Sequence, residues 1–199
     1  DEISGGRLIV GLGAGWNEPE YRAFGFPFDH RVDRFEEAFA IMRGLLRGER
    51  VTFDGRYHRV EDCVLLPEPA RTPPIMVGTV GPRMLRLAAA HADGWNAWFS
   101  WYENRVEKLR EVLQKVDEAC ASVGRDPASL VRTVAVLVHV GDEPLRRRSG
   151  RFDPGPAVRP EGLNDHLAAL AAEGISHVQL VVDPVTAESF ETLGRVLVG

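Results

Sequence analysis

Leu8-Ile9-Val10-Gly11-Leu12-Gly13-Ala14-Gly15-Trp16-Asn17 is an apolar run that ends in closely spaced glycines. A strand covered on both faces needs no polar alternation, and a loop approached by a ligand needs little side chain. The run therefore reads as a buried parallel strand entering a ligand-facing loop. The same form recurs in Ile75-Met76-Val77-Gly78-Thr79, behind the breaker Pro73-Pro74. Outward from these stretches, Val32, Phe35, Phe39, Met42, Leu45 and Leu46 at helical spacing predict a helix over 29–48. Further helices are predicted over 82–91, 102–123, 161–173 and 186–198, with strands over 92–98, 131–140 and 178–182. Asp54-Gly55 between two β-rich runs signals a hairpin outside the main sheet. Residues 141–160, crowded with Pro, Gly and Arg, read as a loop that is expected to be mobile. Strand and helix alternate five times, which implies a parallel sheet covered by helices, as a doubly wound sheet or a barrel.

Composition narrows the function. A chain of 199 residues suits one globular domain over 1–199. Its net charge is −5, with basic residues scattered among acidic ones, so nothing marks a nucleic-acid or anionic-membrane surface and a small-molecule ligand is expected. Cys63 and Cys120 fit neither a metal-ligand spacing nor a disulfide framework, which suggests inert thiols in a cytoplasmic protein. No apolar run approaches the ~20 residues that span a bilayer. His30, His58, His91, His139, His166 and His177 are dispersed without metal-ligand spacing. G-x-S-x-G and P-loop patterns are absent, so acyl transfer and nucleotide hydrolysis lack support.

At the C-terminal ends of the strands, residues 11–16, 78–83 and Trp95-Asn96 would share one mouth. Gly11, Gly13, Ala14 and Gly15 permit close approach by a flat ring, with Trp16 and Tyr21 as an apolar wall. The same residues also suit a plain tight turn with a core tryptophan. Trp16 stands where a dinucleotide fingerprint needs its third glycine, so a nicotinamide Rossmann site is not expected. Gly78-Thr79-Val80-Gly81-Pro82-Arg83 leads from strand into helix, where backbone N–H groups, the helix dipole and Arg83 could face an anion. Glycine then proline is equally good capping chemistry. Glu18, Glu20, His30 and Arg31 stand at helix starts, where ligand contact and ordinary capping are both open.

Ser4-Gly5-Gly6-Arg7-Leu8, the continuation through Glu18-Pro19-Glu20-Tyr21, and Phe24-Gly25 closely resemble luciferase-like monooxygenases. The resemblance continues through Thr52-Phe53-Asp54-Gly55-Arg56-Tyr57-His58, Pro73-Pro74-Ile75-Met76-Val77-Gly78, Ala92-Asp93-Gly94-Trp95-Asn96 and Gly174-Ile175-Ser176-His177-Val178-Gln179-Leu180. It is strongest toward the bacterial subgroup that uses the deazaflavin coenzyme F420. It implies an α/β fold of the TIM-type (β/α)8 barrel, here its C-terminal five or so β/α units with a β-hairpin insertion. It also implies an oxidoreductase exchanging hydride with a small organic substrate. The loop Gly11, Gly13, Ala14, Gly15, Trp16, with Glu20, would flank the cofactor ring, Arg31 would lie near it, and Gly78, Thr79, Val80 and Gly81 would offer donors to its phosphate. Arg83 joins them from the anion argument. Relatives that use FMN with NAD(P)H and oxygen make a monooxygenase the alternative. Family members carry about three further β/α units before Ser4, including a ring-contacting histidine. The chain opens without methionine, on a Gly5-Gly6 helix end, so its beginning is expected to be cut and its catalytic residue is not assigned. Exposed sheet edges then predict a homo-oligomer, or a non-catalytic fragment acting through oligomerisation.

Overall fold

The first glycine-ended run does form a strand, though a short one: β1 is Val10–Leu12. The structure is a computed structural model that describes residues 1–142, 145 and 156–198. It divides the chain into two units, Asp1–Val77 and Gly78–Gly199.

In the first unit, α1 (Glu18–Ala23) and α2 (Arg31–Leu46) follow β1. The apolar stripe read from the sequence buries Phe35 and Phe39, together with Ile41. Next come β2 (Val51–Asp54) and β3 (Arg59–Cys63), paired antiparallel with Asp54 opposite Arg59. Asp54 is thus still in the strand, and the turn is 55–58, closed by Gly55 N–H donating to the His58 carbonyl at 2.9 Å. Glu37 on α2 holds that turn: its carboxylate accepts from the backbone N–H groups of Arg56, Tyr57 and His58 at 2.8, 2.8 and 2.9 Å. Desolvation pushes the Glu37 pKa up, but the three backbone hydrogen bonds and the nearby His58 outweigh it and hold the carboxyl below its ordinary range. Arg34 lies 4.4 Å over the Tyr57 ring and the His30 ring stacks on it at 5.7 Å, so the turn is fixed from several sides. β4 (Ile75–Gly78) then pairs parallel with β1, Val10 opposite Ile75 and Leu12 opposite Val77.

The second unit alternates α3 (Pro82–His91), β5 (Gly94–Ala97), α4 (Val106–Ser122), β6 (Val131–His139), α5 (Leu163–Ala172), β7 (His177–Asp183) and α6 (Ala187–Val198). β6 lies between β5 and β7, parallel to both. It is buried throughout from Thr133 to His139, which explains its β-branched, weakly alternating sequence. Trp95, Tyr102, Leu109, Val116, Val134, Val136, Val138, Leu163 and Leu170 are essentially inaccessible and make the core. Each fully buried aliphatic side chain contributes ~1.5–3 kcal/mol.

The long helix starts at Val106, four residues after the position that the sequence pattern predicts. Glu103 and Asn104 take φ of 51° and 53°, which no helix accommodates. They leave the helical path because residues 102–104 buttress β6. The Tyr102 hydroxyl donates to the Ala135 carbonyl at 2.7 Å, and burial raises its pKa. The Asn104 amide donates to the Leu137 carbonyl at 2.9 Å and accepts from Leu137 N–H at 3.1 Å. β5 pairs with β6 only as far as Val134; beyond it, Asn104 and then Val158, bridged to Val138, take over that side of β6. Most of the loop predicted over 141–160 lies outside the described residues. No helix among the described residues is long and apolar enough to cross a membrane.

Candidate cofactor-binding site

The glycine loop of the first unit is shaped by its own tyrosine. Gly15 has φ +74°, and a Cβ there would stand 2.3 Å from the Tyr21 hydroxyl oxygen. That hydroxyl donates to the Ala14 carbonyl at 2.6 Å. The Tyr21 ring meets Phe28 edge-on at 5.2 Å, and the Arg31 guanidinium lies 4.8 Å above Phe28. Ala14, Gly15 and Arg31 are thereby joined through Tyr21 and Phe28. Glycine at 15 is demanded by Tyr21 itself. Gly11 lies within β1, Gly13 follows the strand, and both are exposed. Trp16 is 56 % exposed, so it is not the core tryptophan of the plain-turn reading. Glu20 is exposed on α1, next to Tyr21.

The second loop follows β4 and opens the second unit. Thr79 is buried, and its carbonyl accepts from Trp95 Nε1 at 2.7 Å. Trp95, expected at the mouth, is fully buried and acts as the anchor of this loop. Gly81 N–H donates to Thr79 Oγ1 at 3.3 Å, so one of the expected phosphate donors already has an internal partner. The missing Cβ of Gly81 faces open space, which a ligand can approach. Pro82 starts α3, whose first turn presents N–H groups with no intrahelical acceptor and the positive end of the dipole. Val80 and Arg83 are exposed beside it. Open backbone with an arginine at a helix start can meet an anionic group. Among the described residues no three His, Cys, Asp or Glu side chains gather as metal ligands.

The sequence profile of luciferase-like monooxygenases matches residues 1–154. The chain belongs to this family. It is 32% identical over 173 residues to an F420-dependent hydroxymycolic acid dehydrogenase of Mycobacterium tuberculosis, covering 84% of this chain and 46% of that protein. It is 27% identical over 192 residues to a pyrimidine monooxygenase of Stutzerimonas stutzeri, covering 94% of this chain and 53% of that one. The chain thus spans about half the length of these relatives. A solved monooxygenase structure from Streptomyces bottropensis superposes with a TM-score of 0.74 over 98% of this chain and 68% of its own, at 20% identity. The luciferase-like α/β fold is therefore shared.

In this luciferase-like chain Asn96, expected at the mouth, meets polar side chains for which the sequence suggested no role. Asn96 Nδ2 donates to Thr133 Oγ1 and to Gln179 Oε1, both at 2.7 Å, a polar layer across β5, β6 and β7. Strand alternation puts His139 on the same face of β6 as Thr133, and Asp183 on the same face of β7 as Gln179. His139 and Asp183 are the last residues of their strands, are register partners, and are buried. The Asp183 carbonyl accepts from His139 Nδ1 at 3.0 Å and from Val140 N–H at 2.8 Å, with the Asp183 carboxylate 3.3 Å from Nδ1. The available signal was position: a titratable residue ending each of two β-branched runs.

Proposed function

We propose that the chain supplies the C-terminal five or so β/α units of an eight-stranded barrel, a single domain over 1–199 with β2 and β3 as an insertion. We propose further that it is an oxidoreductase dependent on coenzyme F420 that exchanges hydride with a small organic substrate, and that it works as a homo-oligomer. The observation that carries this reading is the loop at 78–81, held by Trp95, open at Gly81 and leading into the start of α3. The F420-dependent relative supports the choice of cofactor.

When bound, F420 supplies a ring that takes or returns a hydride. The chain's own residues bind and orient it. Gly11, Gly13, Ala14, Gly15 and Trp16 flank the ring, with Glu20 and Arg31 beside it. Gly78, Thr79 and Val80 offer backbone N–H groups to the phosphate, Gly81 offers bare backbone, and Arg83 adds charge. A second reading, an FMN monooxygenase using NAD(P)H and oxygen, is favoured by the pyrimidine monooxygenase relative over nearly the whole chain.

Fluorescence titration of the protein at its full natural length with F420 tests the proposal. Saturable binding is expected, weakened ~10–100-fold by Arg83→Ala, as for a charged hydrogen bond. Saturation by FMN alone, with NAD(P)H-dependent oxygen uptake, would establish the second reading. Binding of neither cofactor would overturn both.

A further inference from the structure

We propose that His166 is a pH-operated switch in the joint between α4 and α5: neutral, its ring stays packed, and protonated, it turns into the cleft between the two helices and pairs with Glu107. The inference is independent of the cofactor reading. It starts from a cleft of about 550 Å³ between these helices. Ala169 and Ala172 of α5 line the cleft and are exposed, too short to fill the gap. The charged groups that face it are Arg105, Glu107 and Arg110 on the α4 side and Asp165 and Glu173 on the α5 side. His166 stands half-buried among them.

The His166 Nε2 is sealed from solvent and has no hydrogen-bond partner among the described residues. With the proton of the neutral ring on Nδ1, the sealed atom is only an unused acceptor. The imidazolium carries N–H on both nitrogens, so a charged donor would be sealed in without an acceptor, a far more costly arrangement. The cleft offers room for the ring and, in Glu107, a carboxylate. Desolvation lowers the His166 pKa, and Glu107 offsets part of that shift. Proton uptake therefore works against the packed ring, and the effect sets in as pH falls below the ordinary histidine value. The rest of the joint holds still in that range. Arg110 Nε and Nη2 donate to Glu173 Oε1 at 2.9 and 2.6 Å, a tie across the two helices that keeps the Glu173 carboxyl below its ordinary range, so it stays charged where histidine titrates. Asn104, which holds Leu137 on β6, lines the same cleft. The switch thus sits beside a residue that ties the helical layer to the sheet.

Two-dimensional NMR of the full-length protein, titrated from neutral pH into mild acid, tests the switch. The His166 ring should titrate at a lower pH than a histidine in an unstructured peptide, and the backbone amides of Glu107 and Lys108 should shift with the same midpoint. Acid should bring cross-peaks between the His166 ring and the Glu107 side chain that are missing at neutral pH. Glu107 is exposed, so Glu107→Gln leaves the fold intact; it should move the His166 midpoint to lower pH still and weaken the acid cross-peaks. In His166→Phe the amide shifts at Glu107 and Lys108 over this range should vanish. A midpoint that Glu107→Gln leaves unchanged would overturn the inference. A ring that titrates without gaining contact to Glu107 would also overturn it, because the charged ring would then have stayed packed.

Discussion

Asn104 combines a buried side chain, a left-handed backbone and both a donor and an acceptor bond to Leu137. Replacing it with alanine leaves the Leu137 N–H without that partner, which costs ~1–3 kcal/mol, and gives up asparagine's tolerance of the left-handed region for about 1 kcal/mol more. Urea unfolding of Asn104→Ala should show a loss of about 3 kcal/mol, and Asn104→Gly should recover about 1 kcal/mol of it. Equal losses in the two variants would mean that backbone conformation contributes nothing there. At Gly15 the backbone and Tyr21 act together. Gly15→Ala must displace the Tyr21 hydroxyl from Ala14, so cofactor affinity should fall about tenfold or more in a fluorescence titration. Unchanged affinity would place this loop away from the cofactor. The glycines themselves were legible in the sequence. Their reasons were not, because Tyr21 reaches Ala14 only once α1 has folded back on the loop.

Among the elements, the turn between β2 and β3 depends on one carboxylate from α2. The folded-state pKa of Glu37 is depressed, so its contribution is present above the unfolded value, about 4.3, and is lost as pH falls through the folded value. Glu37→Gln should therefore melt lower than the native chain at neutral pH, with faster amide exchange at residues 56–58. The two proteins should converge once acid has protonated the native carboxylate. A melting difference that is constant down to strongly acid pH would refute the clamp. The hairpin was readable from Asp54-Gly55 and its β-rich flanks, and α2 from its apolar period. That Glu37 ties one to the other was not readable, since 19 positions separate it from Arg56 and no local pattern spans that gap. The start of α4 was misplaced for a related reason: residues 102–104 are helix-compatible locally and leave the helix only to support β6.

For the whole molecule, the first unit exposes Ile3, Leu8, Ile9, Trp16, Phe24, Phe26 and Leu66, and among the described residues β1 is hydrogen-bonded to one neighbouring strand, β4. Exposed apolar side chains beside a strand edge favour association. The 199-residue chain by itself should sediment as a concentration-dependent oligomer. A monomer at all concentrations would overturn this.

The sequence by itself determined the α/β class, the family and the positions of nearly all strands and helices, because hydrophobic period, glycine endings and proline breakers are local properties of the chain. Only the tertiary structure decided which polar groups meet. Trp95 anchors Thr79, Tyr21 shapes Gly15, Asn104 completes the edge of β6, and His139 faces Asp183. The contacts of Trp95, Asn104 and His139 satisfy polar groups that burial has removed from water, and burial exists only after distant segments have packed.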